Sequence, residues 1–196
     1  IAVHANGALN IGEGAVLKNN QNTNNGGAVN NKGTVQMTGG IISNCSSGNN
    51  GGGIYCEGAQ SLLKMTGGSV FGNKALSGGG AALYSASGND AISGGEIIGN
   101  TASSLGGGVW VSNSTLLVSG GILRDNSAPA GEGIYVNSQS ALSLQGDPLF
   151  DADQTVCSYS EPVNVTGELT AARPIPITGG SWSPGRVVAR YSEGYV

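Results

Sequence analysis

The chain has 196 residues, a formal net charge of −4 and only 10% charged residues, whereas 36 residues are glycine. That is about 18% glycine, against roughly 7% in an average protein. With 38% hydrophobic residues, the composition argues against intrinsic disorder, which combines low hydrophobicity with high net charge. The lysine and arginine residues are scattered and form no basic stripe, so we expect no nucleic-acid partner.

Two further classes are disfavoured by the sequence. No apolar run approaches the roughly 20 residues that a membrane-spanning helix needs, so no span is expected in this stretch. The three cysteines, Cys45, Cys56 and Cys157, are odd in number and lack metal-ligand spacing, which predicts neither a disulfide framework nor a zinc site, and at least one free thiol. The chain begins in mid-pattern, and we expect it to be a piece of a longer protein with further domains.

A repeat runs along the chain. A glycine pair followed by two apolar or aromatic residues recurs at steps of 26, 27, 28 and 25 residues, the last copy being degenerate. The copies are Gly26-Gly27-Ala28-Val29, Gly52-Gly53-Ile54-Tyr55, Gly79-Gly80-Ala81-Ala82, Gly107-Gly108-Val109-Trp110 and Glu132-Gly133-Ile134-Tyr135. A period of this length indicates a repeat architecture, in which each repeat buries its apolar face only against its neighbours.

Two more markers lie inside each period. A Thr/Ser-Gly-Gly triplet recurs at Thr38, Thr66, Ser93 and Ser119, and an asparagine follows each triplet after a short apolar segment. These asparagines are expected to form a ladder at one corner of the fold, together with one from the preceding period. The predicted members are Asn19, Asn44, Asn73, Asn100 and Asn126.

Each period therefore holds three short β-like segments separated by Gly, Asn and Ser, and the glycine density excludes a helical solenoid. We predict an all-β fold, a right-handed parallel β-helix or single-stranded β-solenoid of about seven coils of 25–28 residues with three short strands each. The coils are predicted over residues 1–157. Prolines accumulate later, and 158–196 are predicted to form a modified last coil and C-terminal cap of the same domain.

Alternation with period two assigns side chains to the two faces of each strand. In the middle strand of the coil, one inward column is Val35, Leu63, Leu116 and Leu142. Asp90 falls in that apolar column, which we attribute to a local turn in a shortened coil, and His4 is expected at a packed inward edge. In the strand after the glycine pair, one inward column is predicted to hold Ala28, Ile54, Ala81, Val109 and Ile134, and the next Cys56, Leu83, Val111 and Val136.

The same alternation turns Tyr55, Ala82, Trp110 and Tyr135 outward. Aromatic residues make up only 5% of the chain, so three of them in one column are a candidate ligand-binding stripe: Tyr55, Trp110 and Tyr135. Exposed rings can stack on sugar rings or on a partner chain. The competing interpretation, which leads, is an aromatic ladder that stabilises the sheet.

These repeats resemble the glycine-rich repeats of bacterial right-handed parallel β-helix surface proteins, an adhesin-like family. They are also similar, more loosely, to the paired GGA(I/L/V) and FxxN motifs of chlamydial polymorphic outer-membrane proteins. Gly26-Gly27-Ala28-Val29 matches the first motif, whereas Phe71-Gly72-Asn73 matches the second only in part, because it is one residue short. The resemblance covers about residues 1–150. It implies an extracellular, secreted or cell-surface module without a cofactor, whose partners are a glycan or a surface protein of a host or neighbouring cell.

The β-helix fold also serves polysaccharide lyases and glycoside hydrolases, so such an enzyme is the alternative. A hydrolase needs clustered carboxylates, and the acidic residues here fall at different repeat positions. No catalytic residue is therefore assigned. Asp147, Asp151 and Asp153 lie close enough in sequence to be a weak calcium candidate, although a solvated acidic turn is favoured because no calcium-loop motif is present.

Overall fold

The architecture is that of a computed structural model that describes residues 1–86, 88–159, 162–179 and 189–191. Within these ranges all regular elements are β-strands and no helix is present. The 22 strands so described are β1 (Ala2–Val3), β2 (Ala8–Ile11), β3 (Val16–Lys18), β4 (Gln21–Asn22), β5 (Val29–Asn31), β6 (Thr34–Ser43), β7 (Ser46–Ser47), β8 (Ile54–Glu57), β9 (Leu62–Phe71), β10 (Lys74–Ala75), β11 (Leu83–Ala86), β12 (Asn89–Ile98), β13 (Thr101–Ala102), β14 (Val109–Ser112), β15 (Thr115–Arg124), β16 (Ile134–Val136), β17 (Ala141–Gly146), β18 (Leu149–Phe150), β19 (Val156–Ser158), β20 (Val163–Leu169), β21 (Ile177–Gly179) and β22 (Ala189–Tyr191).

The strands form three parallel sheets that run along the solenoid. The front sheet has the order β1-β5-β8-β11-β14-β16-β19-β21, and the short sheet has the order β4-β7-β10-β13. The long sheet has the order β2-β6-β9-β12-β15-β17-β20-β22, with β3 beside β6 and β18 beside β15. Every named strand pair is parallel and joins equivalent positions of successive coils. The result is a β-solenoid of about six turns, which confirms the predicted fold class.

The ten-residue strands of the long sheet turn a corner in their middle. Each contains the second glycine of a Thr/Ser-Gly-Gly triplet in the left-handed region, for example Gly68 with φ 84° and Gly95 with φ 87°. The strand register shifts at the same place, between Thr38 and Ile41 in the pairing of β6 with β9. Since only glycine enters this region without a steric penalty, the triplets are the sequence mark of this corner.

The asparagine ladder forms at the next corner, between the long and short sheets. Asn73 Nδ2 donates to Asn100 Oδ1 at 3.0 Å, and Asn100 Nδ2 donates to Asn126 Oδ1 at 2.9 Å. Asn126 Nδ2 donates to Gln154 Oε1 at 2.8 Å, so a glutamine extends the ladder by one coil. In the earlier direction, the Cys45 backbone N–H donates to Asn73 Oδ1 at 2.9 Å. The ladder is confirmed for its three later members, and all three are buried.

The predicted ladder positions of Asn19 and Asn44 are wrong by one residue. Both are left-handed, with φ 59° and 52°, and Gly72, Gly99 and Asp125 have the corresponding φ of 63°, 61° and 55°. Each of these residues directly precedes the ladder column. Asparagine adopts this conformation more readily than most residues, so it serves the turn in the early coils and the ladder in the later ones.

The core lies between the three sheets. The inward column predicted for the long sheet is confirmed, since Val35, Leu63, Leu116 and Leu142 are all buried. Asp90 occupies the same column and is buried within β12, so the predicted local turn at this residue is wrong. His4 is exposed rather than packed inward.

The inward columns of the front sheet are displaced from the prediction. The observed register places Val29, Ile54, Leu83, Val109 and Ile134 in one column. The next inward column holds Asn31, Cys56, Ser85, Val111 and Val136. Ala28 and Ala81 are therefore not in the first column, and Leu83 is not in the second. The error arises at β5 and β11, where the residue after the glycine pair lies one and two residues, respectively, before the inward position.

The chain continues the solenoid after the predicted boundary at residue 157. Strand β20 pairs with β17 in the long sheet, and β21 pairs with β19 in the front sheet. Both strands lie in the segment predicted as a modified last coil. Residues 160–161, 180–188 and 192–196 of the segment predicted as last coil and cap lie outside the described residues.

We predict that Asn100→Ala destabilises the protein by about 3 kcal/mol or more. The substitution removes Asn100 Oδ1, which accepts from the Asn73 backbone N–H and from Asn73 Nδ2, and Asn100 Nδ2, which donates to the Val70 carbonyl and to Asn126 Oδ1. A buried polar group left unsatisfied costs about 1–3 kcal/mol. The control, Asn44→Gly, places a glycine at a left-handed position and should cost less than about 1 kcal/mol. Urea denaturation measures both; equal losses would contradict the observed ladder.

Candidate functional site

The candidate site is the outward column of the front sheet. Strand pairing brings Tyr55, Tyr84, Trp110 and Tyr135 side by side on β8, β11, β14 and β16, and these four residues are called the aromatic ladder below. The three predicted residues Tyr55, Trp110 and Tyr135 are thus in one column. Asn30 precedes the ladder on β5, and Cys157 follows it on β19.

The member of the aromatic ladder on β11 is Tyr84, not Ala82, and the sequence analysis did not identify it. Ala82 is buried and lies two residues before the column. A left-handed glycine stands three residues before the inward residue of each strand, as Gly51 does before Ile54 and Gly80 before Leu83. Before β11 this glycine is Gly80, which is the second residue of the pair Gly79-Gly80. An alignment on the glycine pairs is therefore two residues out of register at this strand. Alignment on the inward aliphatic residues would have found Tyr84.

The rings of the aromatic ladder contact one another in order. Tyr55 and Tyr84 are stacked, with centroids 5.1 Å apart and planes 18° from parallel. Trp110 stands across Tyr84 at 5.1 Å and 77°, and across Tyr135 at 6.0 Å and 87°. Offset-stacked and edge-to-face pairs are both favourable geometries for aromatic rings. The rings therefore form a continuous contacting column along the sheet, the arrangement that the leading interpretation of the sequence predicts.

One ring of the aromatic ladder is less exposed than the other three. Tyr55, Tyr84 and Trp110 are half-buried, whereas Tyr135 is only 9% exposed. The predicted exposure of Tyr135 is therefore wrong, and the accessible part of the column is limited to the three earlier rings. Since Tyr55 and Tyr84 cover one face of each other, Trp110 is the accessible ring whose plane is turned across the stack.

The surroundings of Trp110 fix its position. Its indole lies directly against the backbone of Gly79, so closely that a Cβ at residue 79 would collide with Cε3. Trp110 Nε1 is buried and has no hydrogen-bond partner among the described residues.

The accessible ladder is electrically neutral at ordinary pH. Burial, reinforced by the negative Glu57 and by Tyr84, raises the pKa of Tyr55 to about 12. Glu57 is itself paired with Lys32 at 2.9 Å on the neighbouring coil. The column thus presents uncharged rings beside a compensated ion pair, which favours an uncharged ligand over an ionic one.

The calcium candidate is not assembled. Asp151 pairs with Arg173 at 3.2 Å, while Asp147 and Asp153 are exposed. Over the described ranges, no group of three or more His, Cys, Asp or Glu side chains could hold a metal ion. Cys45, Cys56 and Cys157 are all buried and free.

No helix that could cross a membrane occurs in the part of the chain that the structure describes. The chain matches no protein-family model, no curated protein and no solved structure.

We predict that a double-mutant cycle between Tyr55→Ala and Tyr84→Ala gives a coupling free energy of about 0.5–1.5 kcal/mol, because the two rings are in direct contact. The matched cycle pairs Tyr55→Ala with Tyr135→Ala, whose rings are separated by two intervening coils. Its coupling should be close to zero. Chemical denaturation gives all the free energies; additive effects in the Tyr55–Tyr84 cycle would show that the stacking contributes nothing.

Proposed function

We propose that this β-solenoid is a non-catalytic secreted or cell-surface module of a larger bacterial protein, adhesin-like, which binds a glycan or a protein through the aromatic ladder. The single observation that carries the proposal is the half-exposed, uncharged column of Tyr55, Tyr84 and Trp110 on one face of a regular sheet. Exposed aromatic groups held in register on a rigid framework are suited to binding, since little side-chain freedom is lost when a ligand associates.

A neutral saccharide is the ligand class that best fits this column. Its ring carries one apolar C–H face and a hydroxyl periphery, so it can use both an aromatic surface and polar groups around it. Trp110 supplies the largest aromatic surface among the accessible rings and is turned across the stack. A charged partner would gain little here, because Lys32 and Glu57 already neutralise each other.

The alternative is a polysaccharide-processing enzyme. Such an enzyme needs two carboxyl groups roughly 5–10 Å apart at an accessible surface. Among the described carboxyl groups, Asp90 is buried inside the solenoid, and no observation favours the alternative over binding. Such an enzyme would be recognised in the experiment below by the oligosaccharides that a lyase or hydrolase releases from a bound polysaccharide.

We predict that neutral glycans on an array bind the protein and that Trp110→Ala weakens this binding by at least about tenfold, the effect of losing a binding residue worth 1.4 kcal/mol. In a Trp182→Phe background, Trp110 is the remaining tryptophan, so its fluorescence should change when the bound glycan is added. Val16→Ala, which trims an exposed side chain of the long sheet, is the control and should bind as the parent does.

Two outcomes would contradict the proposal. One is a parent protein that binds neither a glycan on the array nor a protein on an intact cell surface. The other is a folded Trp110→Ala variant that retains full binding. Release of oligosaccharides from a bound polysaccharide would favour the enzymatic alternative.

A further inference from the structure

A buried carboxyl group lies inside the solenoid, away from the aromatic ladder. Asp90 is the second residue of β12 and is 2% exposed. It occupies the inward column in which the adjacent coils carry Leu63 and Leu116. A carboxylate at such a position must be compensated by donors or be neutral, because burial of an unpaired charge is very unfavourable.

The donors around Asp90 compensate only part of its charge. Asp90 Oδ1 accepts a hydrogen bond from the Leu63 backbone N–H at 2.7 Å, and the Ser85 hydroxyl also favours the charged form. Asp90 Oδ2 has no hydrogen-bond partner among the described residues. The Ser85 hydroxyl is shared with Ser114, at 2.7 Å from its Oγ.

As far as the structure describes them, the elements packed around Asp90 supply no positive charge. The titratable group that faces it is the buried Cys56 thiol on β8, whose pKa is raised by burial and by Asp90. The groups that β9, β11 and β15 place next to it are the Leu63 amide, the Ser85 hydroxyl and the Leu116 side chain. No lysine, arginine or histidine in the described part of the chain is among the groups that act on Asp90.

Burial outweighs the hydrogen bonds from Ser85 and Leu63 and raises the pKa of Asp90 to about 6, from an ordinary 3.8. Below the unfolded-state pKa the carboxyl is neutral in both states and folding carries no penalty. As pH rises towards 6 the unfolded chain loses its proton first, so the folded state loses stability over this window and reaches a constant lower level above it.

We propose that Asp90 makes the N-terminal end of β12 a pH-responsive latch, which is closed while the carboxyl is protonated and loosens when it ionises. Opening of this strand end gives the charged oxygen access to water. It breaks the bond from Leu63 to Asp90 and the adjacent bond from the Thr115 N–H to the Gly88 carbonyl, which is 3.1 Å long in the closed state. This end of β12 is therefore most rigid below the ordinary aspartate pKa of 3.8 and loosens as the pH rises towards neutral.

Amide hydrogen exchange of the intact chain tests this latch. Protection factors of the Leu63 and Thr115 amides, corrected for the intrinsic pH dependence of exchange, should fall roughly 25-fold between pH 4.5 and pH 7.5, the change that a rise in the pKa of Asp90 from 3.8 to about 6 gives over this range. Asp90→Asn removes the charge and keeps an acceptor, and Asp90→Leu restores the apolar residue of the neighbouring coils. Both variants should show protection that does not change with pH.

The control is Asp153→Asn, which removes an exposed carboxylate and should behave as the parent does. The latch is refuted by constant protection of both amides in the parent protein across this pH range. It is equally refuted if Asp90→Asn and Asp90→Leu retain the pH dependence of the parent, since another group would then be responsible.

Discussion

Parallel backbone pairing between successive coils is the constraint on which the rest of the structure depends. Each strand bonds to its equivalent about 4.8 Å away, so every side chain lies beside the side chains that hold the same place in the coils before and after it. Apolar residues become continuous inward columns, and inward amides satisfy one another as the ladder of Asn73, Asn100 and Asn126. The same constraint brings four aromatic rings into contact on the outside of the front sheet.

The sequence was sufficient for the architecture because the repeat carries its own corner residues. Left-handed positions recur as glycine or asparagine, and the alternation inside each strand assigns its faces. The register of the front sheet could not be derived from the sequence at β5 and β11. Insertions of one or two residues at a glycine-rich corner leave the composition unchanged but shift the strand. As a result Leu83, not Ala81, lies in the first inward column, and Tyr84, not Ala82, lies in the aromatic ladder. Strand pairing, which is a long-range property, decides such cases.

The candidate site was predicted in part for the same reason. Tyr55, Trp110 and Tyr135 stand in one column as alternation required, but alternation says nothing about how rings orient or cover one another. Tyr55 and Tyr84 stack face to face, and Tyr135 is buried, so the accessible aromatic surface is smaller than the column suggests and is centred on Trp110. Asp90 is the opposite case: its column was evident from the sequence, whereas its burial in a regular strand was not.

The inward columns of the front sheet and the aromatic ladder both follow from the register of that sheet. Nuclear Overhauser contacts between ring protons of Tyr55 and Tyr84 measure it most directly. The observed register predicts strong contacts between these two rings, which stack at 5.1 Å, and none between the Tyr55 ring and the Ala82 methyl group, which is buried in the core. A contact between Tyr55 and Ala82, without one to Tyr84, would contradict it.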